Sequence, residues 1–274
     1  HLKVIRPLAE TALAEAGIGP KDLSLVAATR GPGLIGALLV GYTFAKGLAW
    51  ALRKPFYAIH HLEAHIAAAW PPGLNPPFLA LVASGGHTHL FAVEALGRYR
   101  LLGATRDDAA GEAFDKVARL LGLGFPGGPE IERLAQEARE KVPFPVPLKD
   151  QKGYEFSFSG LKTKAVQLVE AGHPAPALAR GFQEAAVEHL AQVVIRAAQD
   201  TGHRVLLVAG GVAANRALQA RFQEAGLTVY FPPRGLSQDN GAMVALAAWR
   251  RYQGGFPPSP LSLGATAYWP LEEA

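Results

Sequence analysis

The stretch AIHHLEAHIAAAW, Ala58–Trp70, sets His60, His61 and His65 among apolar residues in a chain that has no cysteine. If the chain is helical from Leu62 on, His61 and His65 share one face at i and i+4, the spacing at which two imidazoles can hold one metal ion. His60, rotated by about 100° on a helix of 3.6 residues per turn, would not join them. Two imidazoles leave a metal site incomplete, so a carboxylate must come from elsewhere, and Asp239 in SQDNGAM, just ahead of an apolar helical run, is a candidate. The same residues also read as histidines that fill core space and an aspartate that caps a helix. A zinc protease is not indicated. H-E-x-x-H needs its glutamate directly after the first histidine, whereas Glu63 stands two residues from each, on the opposite side of the helix.

Two apolar runs end in paired glycines, LVASGG at Gly85 and Gly86 and LVAGG at Gly210 and Gly211. Glycine lets backbone N–H groups converge on a phosphate, and a helix start behind the turn adds its dipole. Either pair can also be an ordinary tight turn. Neither a G-x-x-x-x-G-K-[ST] loop nor a G-x-G-x-x-G after a strand occurs. Glu112 and Asp115 in GEAFDK lie three apart on one helical face, where Asp115 could take ribose hydroxyls or pair with Arg119. Asn215 in VAANR can bond a base or ribose, or cap a helix. YEFSFSGLKTKA sets aromatics beside Lys162 and Lys164, a pattern for stacking bases or for an edge strand that turns Phe156 and Phe158 inward.

These residues must be held by elements that the periodicity supplies. A helix opens the chain, with Ile5, Leu8, Ala12 and Ala16 on one face. A strand follows at 24–29, then a long apolar helix to about Leu52, expected to be a buried core helix rather than a membrane span because Lys46 interrupts it. PFYAIHH reads as the next strand, and FLALVASGGHTHLFAVEAL as a hairpin about its glycines. Helices follow in DDAAGEAFDKVARLLGL and EIERLAQEAREK. The Pro-rich VPFPVPLKD and QKGYEFSFSG form the least regular stretch. A long helix at 178–200, the strand RVLLVAGG, the helix VAANRALQARFQEAG, the short strand LTVYFPP and a last helix within LSQDNGAMVALAAWRRYQ complete an α/β chain. The echoed strand–Gly-Gly units suggest two similar lobes facing a shared cleft.

With 274 residues, 49% of them hydrophobic and 18% charged, the chain can bury a sizeable core. Lys and Arg number 27 against 23 acids, a net charge of +4 that permits a nucleic-acid partner without demanding one. The absence of cysteine excludes disulfides and thiolate chemistry. The chain opens without an initiator Met and reads as a fragment whose natural start lies upstream.

GPGLIGALLVG, HHLEAH, SGGHTHL, DDAAGEAFDK, LGLGFPGGP, FSFSGLKT, AGGVAANR and DNGAM occur in this order. The series closely resembles the tRNA N6-adenosine threonylcarbamoyltransferase family, the bacterial TsaD and archaeal–eukaryotic Kae/OSGEP type formerly labelled O-sialoglycoprotein endopeptidases. The resemblance implies an actin/sugar-kinase/Hsp70-like two-lobed fold with duplicated ribonuclease-H-like subdomains. Residues 1–77 would be the remainder of an N-terminal lobe carrying the His pair. Residues 78–274 would be a C-terminal lobe with the glycine loops, its final helix at 240–252 returning towards the cleft. The resemblance implies a phosphate loop ahead of the present His1, so the first lobe is expected to be incomplete at its N-terminus.

The resemblance further implies transfer of the threonylcarbamoyl group from threonylcarbamoyl-AMP to N6 of the adenosine 3′ of the anticodon in tRNAs reading ANN codons. One divalent ion, Fe2+ or Zn2+, would be held by His61, His65 and Asp239. Substrate would contact Val82, Ala83, Ser84, Gly85, Gly86, Asp115, Gly128, Glu132 and Asn215, and ATP, ADP or AMP could occupy the same cleft. No residue is expected to act covalently. The implied partners are tRNA and TsaB-like and TsaE-like accessory proteins, in the cytoplasm and without a membrane. A non-catalytic member of the fold, or a carbamoyltransferase or ATPase acting on a small molecule, would share this architecture, and dependence on tRNA separates them.

Overall fold

The computed structural model describes residues 1–149 and 151–274. They form two compact units, His1–Ala68 with Asn240–Ala274, and Ala69–Asp239.

In the first unit, α1 (Ile5–Glu15) leads to strand β1 (Val26–Gly31), the crossover helix α2 (Ile35–Leu52) and strand β2 (Phe56–His60), which pairs parallel with β1. Chain direction requires such a crossover between parallel neighbours. Helix α3 (His61–Ala69) starts directly at the end of β2, and α9 (Gly241–Gln253) packs on both strands. A small core of Val26, Tyr42, Ala45, Ala49, Phe56 and Ala58 joins α2 to the strand pair. The sequence led us to expect α2 to be a buried core helix, and the structure buries it only in part. Only Tyr42, Ala45 and Ala49 are buried along it, a single stripe, while Trp50 is 74% exposed. By length and composition alone α2 could cross a membrane. Within this unit, however, Lys46 donates to the Leu263 carbonyl at 3.0 Å and its ammonium lies 5.3 Å from the Tyr42 ring centre.

The second unit is built on a five-stranded mixed sheet in the order β5-β4-β3-β6-β7. The hairpin β3 (Phe78–Ala83) and β4 (Thr88–Ala95) turns at the first glycine pair, and β5 (Arg98–Ala104) extends it antiparallel. β6 (Val205–Ala209) and β7 (Thr228–Tyr230) add parallel on the other side of β3. Every residue of β3 is buried, as its unbroken apolar run FLALVA requires of a central strand. Helices α4 (Ala110–Leu120), α5 (Gly127–Gln136), α6 (Ser159–Glu170), α7 (Ala175–Thr201) and α8 (Arg216–Gln223) supply the core around Phe114, Phe182, Leu190 and Phe222. α4 buries Ala110, Ala113, Phe114, Val117 and Ala118, the i, i+3, i+4, i+7, i+8 stripe of an amphipathic helix.

The echoed Gly-Gly units have a different origin from the one expected. β3 and β6 do not belong to two lobes. They are adjacent parallel strands of one sheet, with Val82 opposite Ala209. Parallel neighbours end on the same edge, so Gly85–Gly86 and Gly210–Gly211 leave the sheet side by side. In open α/β sheets the carboxyl ends of strands are where ligands bind.

Candidate active site

The three histidines separate into one structural residue and a pair. His60 ends β2, is wholly buried, and has both ring nitrogens engaged. Nε2 bonds the Trp269 carbonyl at 2.8 Å, and Nδ1 accepts the Leu62 N–H at 3.0 Å. It therefore caps the start of α3, which fixes the helical phase of the next residues. One turn apart on that helix, the rings of His61 and His65 meet edge to face with centroids 4.8 Å apart. His65 is 1% exposed and His61 half-buried. Glu63, on the other side of α3, receives Arg251 Nε at 2.8 Å, so its carboxylate serves an ion pair and not a water on the histidine face. Asp239 is exposed and directly precedes Asn240, whose side chain accepts the Met243 N–H and caps α9. The capping role that Asp239 could have filled thus belongs to its neighbour. Two imidazoles on one helical face are donors of the kind that zinc and ferrous iron take.

The second unit carries a cleft of about 470 Å³, the size of a small-molecule site. Of the residues marked in the sequence, Ser84, Gly85, Asp115, Gly128, Glu132, Asn215 and Asp239 line it. Val82 and Ala83 lie below it in β3 with no exposed surface, and Gly86 is outside its lining. Gly111, Phe114, Phe125, Pro126 and Gln238 also line the cleft and were not singled out by the sequence. The run LGLGFPGGPE contained the signal for Phe125 and Pro126.

Asp115, Glu132 and Asn215 in the wall are each positioned by a backbone N–H. Asp115 Oδ1 accepts from Gly127 at 2.7 Å, and Glu132 Oε1 accepts from Arg216 at 2.6 Å. Both donors open helices, so each carboxylate sits where the helix dipole favours negative charge. Asp115 therefore holds the start of α5 rather than pairing with Arg119. Asn215 Oδ1 accepts from Leu218 at 2.9 Å and caps α8. The expected single helix after Gly211 is accordingly split into a 3-10 turn, Gly211–Ala214, and α8. Gly210 has φ +87°, and a Cβ there would collide with the Ala83 carbonyl, so only glycine lets β6 turn this close to β3.

The FSFSGLKT motif neither stacks outward nor forms an edge strand. Phe156 and Phe158 point inward with no exposed surface, as one reading expected, yet Phe156 makes only an isolated bridge to Thr105. Asp107 gathers the segment by accepting from the Ser157 and Ser159 hydroxyls at 2.6 and 2.7 Å and from the Phe158 N–H at 2.8 Å. Burial pushes its carboxyl up, but these donors outweigh it and hold it below the usual aspartate range. Asp108 pairs with Lys116 and Lys162. The DDAAGEAFDK and FSFSGLKT motifs thus form one clasp beside the cleft helix α4.

A family model described as TsaD, tRNA N6-adenosine threonylcarbamoyltransferase, matches residues 1–246. A Thermus thermophilus protein of that name is 82% identical over 274 residues, covering all of this chain and 85% of the relative. The chain belongs to this family. A TsaD relative from Syntrophotalea carbinolica is 44% identical over 286 residues, covering all of the chain and 83% of the relative. Among solved structures, the HypF of T. kodakarensis aligns with TM-score 0.72 at 16% identity over 96% of this chain, which spans 45% of that one. Component A of the (R)-2-hydroxyglutaryl-CoA dehydratase of Acidaminococcus fermentans aligns with TM-score 0.56 at 18% identity, covering 88% of this chain and 82% of that one. At these identities the likeness concerns fold alone, and it agrees with the actin/sugar-kinase/Hsp70-like α/β fold that the sequence led us to expect.

Proposed function

We propose that the chain transfers the threonylcarbamoyl group of threonylcarbamoyl-AMP to N6 of the adenosine 3′ of the anticodon in tRNAs that read ANN codons. Its family is one of tRNA-modifying acyltransferases, and the observation that carries the reading is the 82% identity along the whole chain to a TsaD relative. In the reaction the N6 amine forms a bond to the carbamoyl carbon. The bond from that carbon to the AMP oxygen breaks, AMP leaves with the electron pair, and the amine proton passes to solvent.

The cleft fits the adenylate half of such a substrate. Asp115 and Glu132 present acceptors for ribose hydroxyls, Asn215 presents an amide, and Gly85 and Gly211 bring backbone N–H groups to the cleft at the strand ends. Phe125 and Pro126 give the rim an apolar edge. His61, His65 and Asp239 would hold a divalent ion, Fe2+ or Zn2+. Such an ion supplies Lewis acidity that polarises an acyl or phosphoryl oxygen. His60 and the Glu63–Arg251 pair keep the two imidazoles in phase with each other. TsaB-like and TsaE-like proteins are the expected companions, with the reaction placed in the cytoplasm.

The test is to incubate the chain, with its accessory proteins, with a tRNA transcript and threonylcarbamoyl-AMP, and to analyse the nucleosides. Threonylcarbamoyladenosine that depends on tRNA and falls with rising salt is expected. Turnover of a small amine without tRNA would overturn the assignment. Metal content, measured on the same preparations, should be about one divalent ion per chain and be lost in His61→Ala.

A further inference from the structure

Gln183 is a polar side chain in an otherwise apolar position. It lies on α7 between Phe182 and Glu184 and is 7% exposed, where leucine or methionine would satisfy packing. A buried amide is unfavourable unless its polar atoms are bonded. Its Oε1 accepts from Asn215 Nδ2 at 2.9 Å, across 32 residues of chain. Asn215 is thereby held from two sides, since its Oδ1 accepts the Leu218 N–H. The two bonds admit only one orientation of the amide. Reversal would set Nδ2 against the Leu218 N–H, whose polarity is fixed, and would set Oδ1 against Oε1 unless the Gln183 amide turned over as well.

An asparagine amide carries two N–H donors, and one is taken by Gln183. What Asn215 brings to a cleft ligand is therefore its second donor, while Asp115 and Glu132 bring acceptors. We infer that Gln183 is a positioning residue for substrate binding, one that fixes Asn215 as a hydrogen-bond donor so that the cleft selects a ligand with an acceptor nitrogen or oxygen at that point. Gln183 does not itself line the cleft. The inference rests on the proposed reading of the cleft as a nucleotide site.

Two substitutions separate positioning from packing. Gln183→Met keeps the volume and removes the acceptor, whereas Gln183→Glu keeps the acceptor. AMP binding by calorimetry, and KM and kcat for threonylcarbamoyl-AMP, are the readouts. Gln183→Met should weaken AMP binding and raise KM by about tenfold, as losing one oriented hydrogen bond implies, with kcat changed less than KM. Gln183→Glu buries a carboxyl but keeps the acceptor, and should retain more of the AMP binding than Gln183→Met. Parent-like AMP binding in Gln183→Met, or an equal loss in both variants, overturns the inference. If the parent binds no AMP, the nucleotide reading of the cleft fails, and the Asn215 side-chain amide resonances decide the positioning by themselves. Slow exchange of that NH2 in the parent, lost in Gln183→Met, supports it, and exchange unaltered by the substitution overturns it.

Discussion

Glu63 and Arg251 form a buried ion pair between α3 and α9, with Arg251 Nε 2.8 Å from Oε1 and 3.1 Å from Oε2 of Glu63. The side chains are 2% and 14% exposed, respectively. At 100° per residue, Glu63 is turned some 200° from both His61 and His65, so the pair grips the back of the helix whose front carries the imidazoles. Removing one partner leaves the other charge buried. Arg251→Met should therefore destabilise the fold by about 3–5 kcal/mol, and the Glu63→Met, Arg251→Met double variant should recover much of that loss. Urea unfolding of the parent, the single and the double variants checks this. Equal loss in the single and double variants would show that packing, not charge, is at stake.

His189 predicts an acid limit to stability. It lies on α7, 1% exposed, with the rings of Phe156 and Phe158 around it, and its Nε2 accepts the Ser157 N–H at 3.1 Å. Burial, then the nearby Arg196 charge, lower its pKa to about 4, against opposing contributions from Asp107 and the Pro147 carbonyl. An unfolded histidine has a pKa near 6.5. Between the two values the unfolded chain binds the extra proton, so stability is complete above about pH 6.5 and declines as pH falls towards 4. The contribution is at most about 3 kcal/mol. Chemical denaturation across that range should lose this slope in His189→Gln.

The sequence was most legible where one segment holds its own explanation. FLALVASGGHTHLFAVEAL becomes a hairpin, the apolar stripe of α4 is read directly from spacing, and His61 and His65 fall on one helical face. It was least legible where a distant residue does the work. α6 begins without a local side-chain cap because Asp107, some 50 residues earlier in the chain, bonds its first turn. The loop before it therefore has no regular pattern of its own. β5 has no clear sequence signature because it lies at the sheet edge with Arg98, Arg100 and Leu101 exposed, leaving little apolar alternation. The echo of strand and paired glycines was visible, but adjacency of β3 and β6 in one sheet depends on pairing that no local pattern encodes. Gln183 is hidden in the same way, as one polar residue in a long helix whose partner lies beyond the next strand.

Asp115 should have a separable structural share. Its bond to the Gly127 N–H fixes the start of α5 and with it the Phe125–Gly128 rim. Asp115→Ala should cost about 1–2 kcal/mol and speed amide hydrogen exchange at Gly127, whereas Asp115→Asn keeps an acceptor and should preserve both. Weakened AMP binding in the asparagine variant, with exchange unaltered, would assign the remainder to the lost charge in the cleft.

Two cleft glycines should respond oppositely to alanine. Gly111, in the first turn of α4, donates its N–H to the Ser84 carbonyl at 3.0 Å, and a Cβ there would lie 2.6 Å from the same oxygen. That oxygen belongs to backbone fixed at the end of β3 and cannot swing aside. Gly111→Ala must therefore lift α4 off the Ser84–Gly86 loop, at a cost of about 1–3 kcal/mol and with loss of cleft binding. Gly128 lies in the first turn of α5, and an added methyl there would meet nothing within 4 Å. Its alanine variant should keep parent stability within about 0.5 kcal/mol. Thermal unfolding of the two variants side by side checks the contrast, and a Gly111→Ala chain as stable as the parent would mean that α4 can shift without strain.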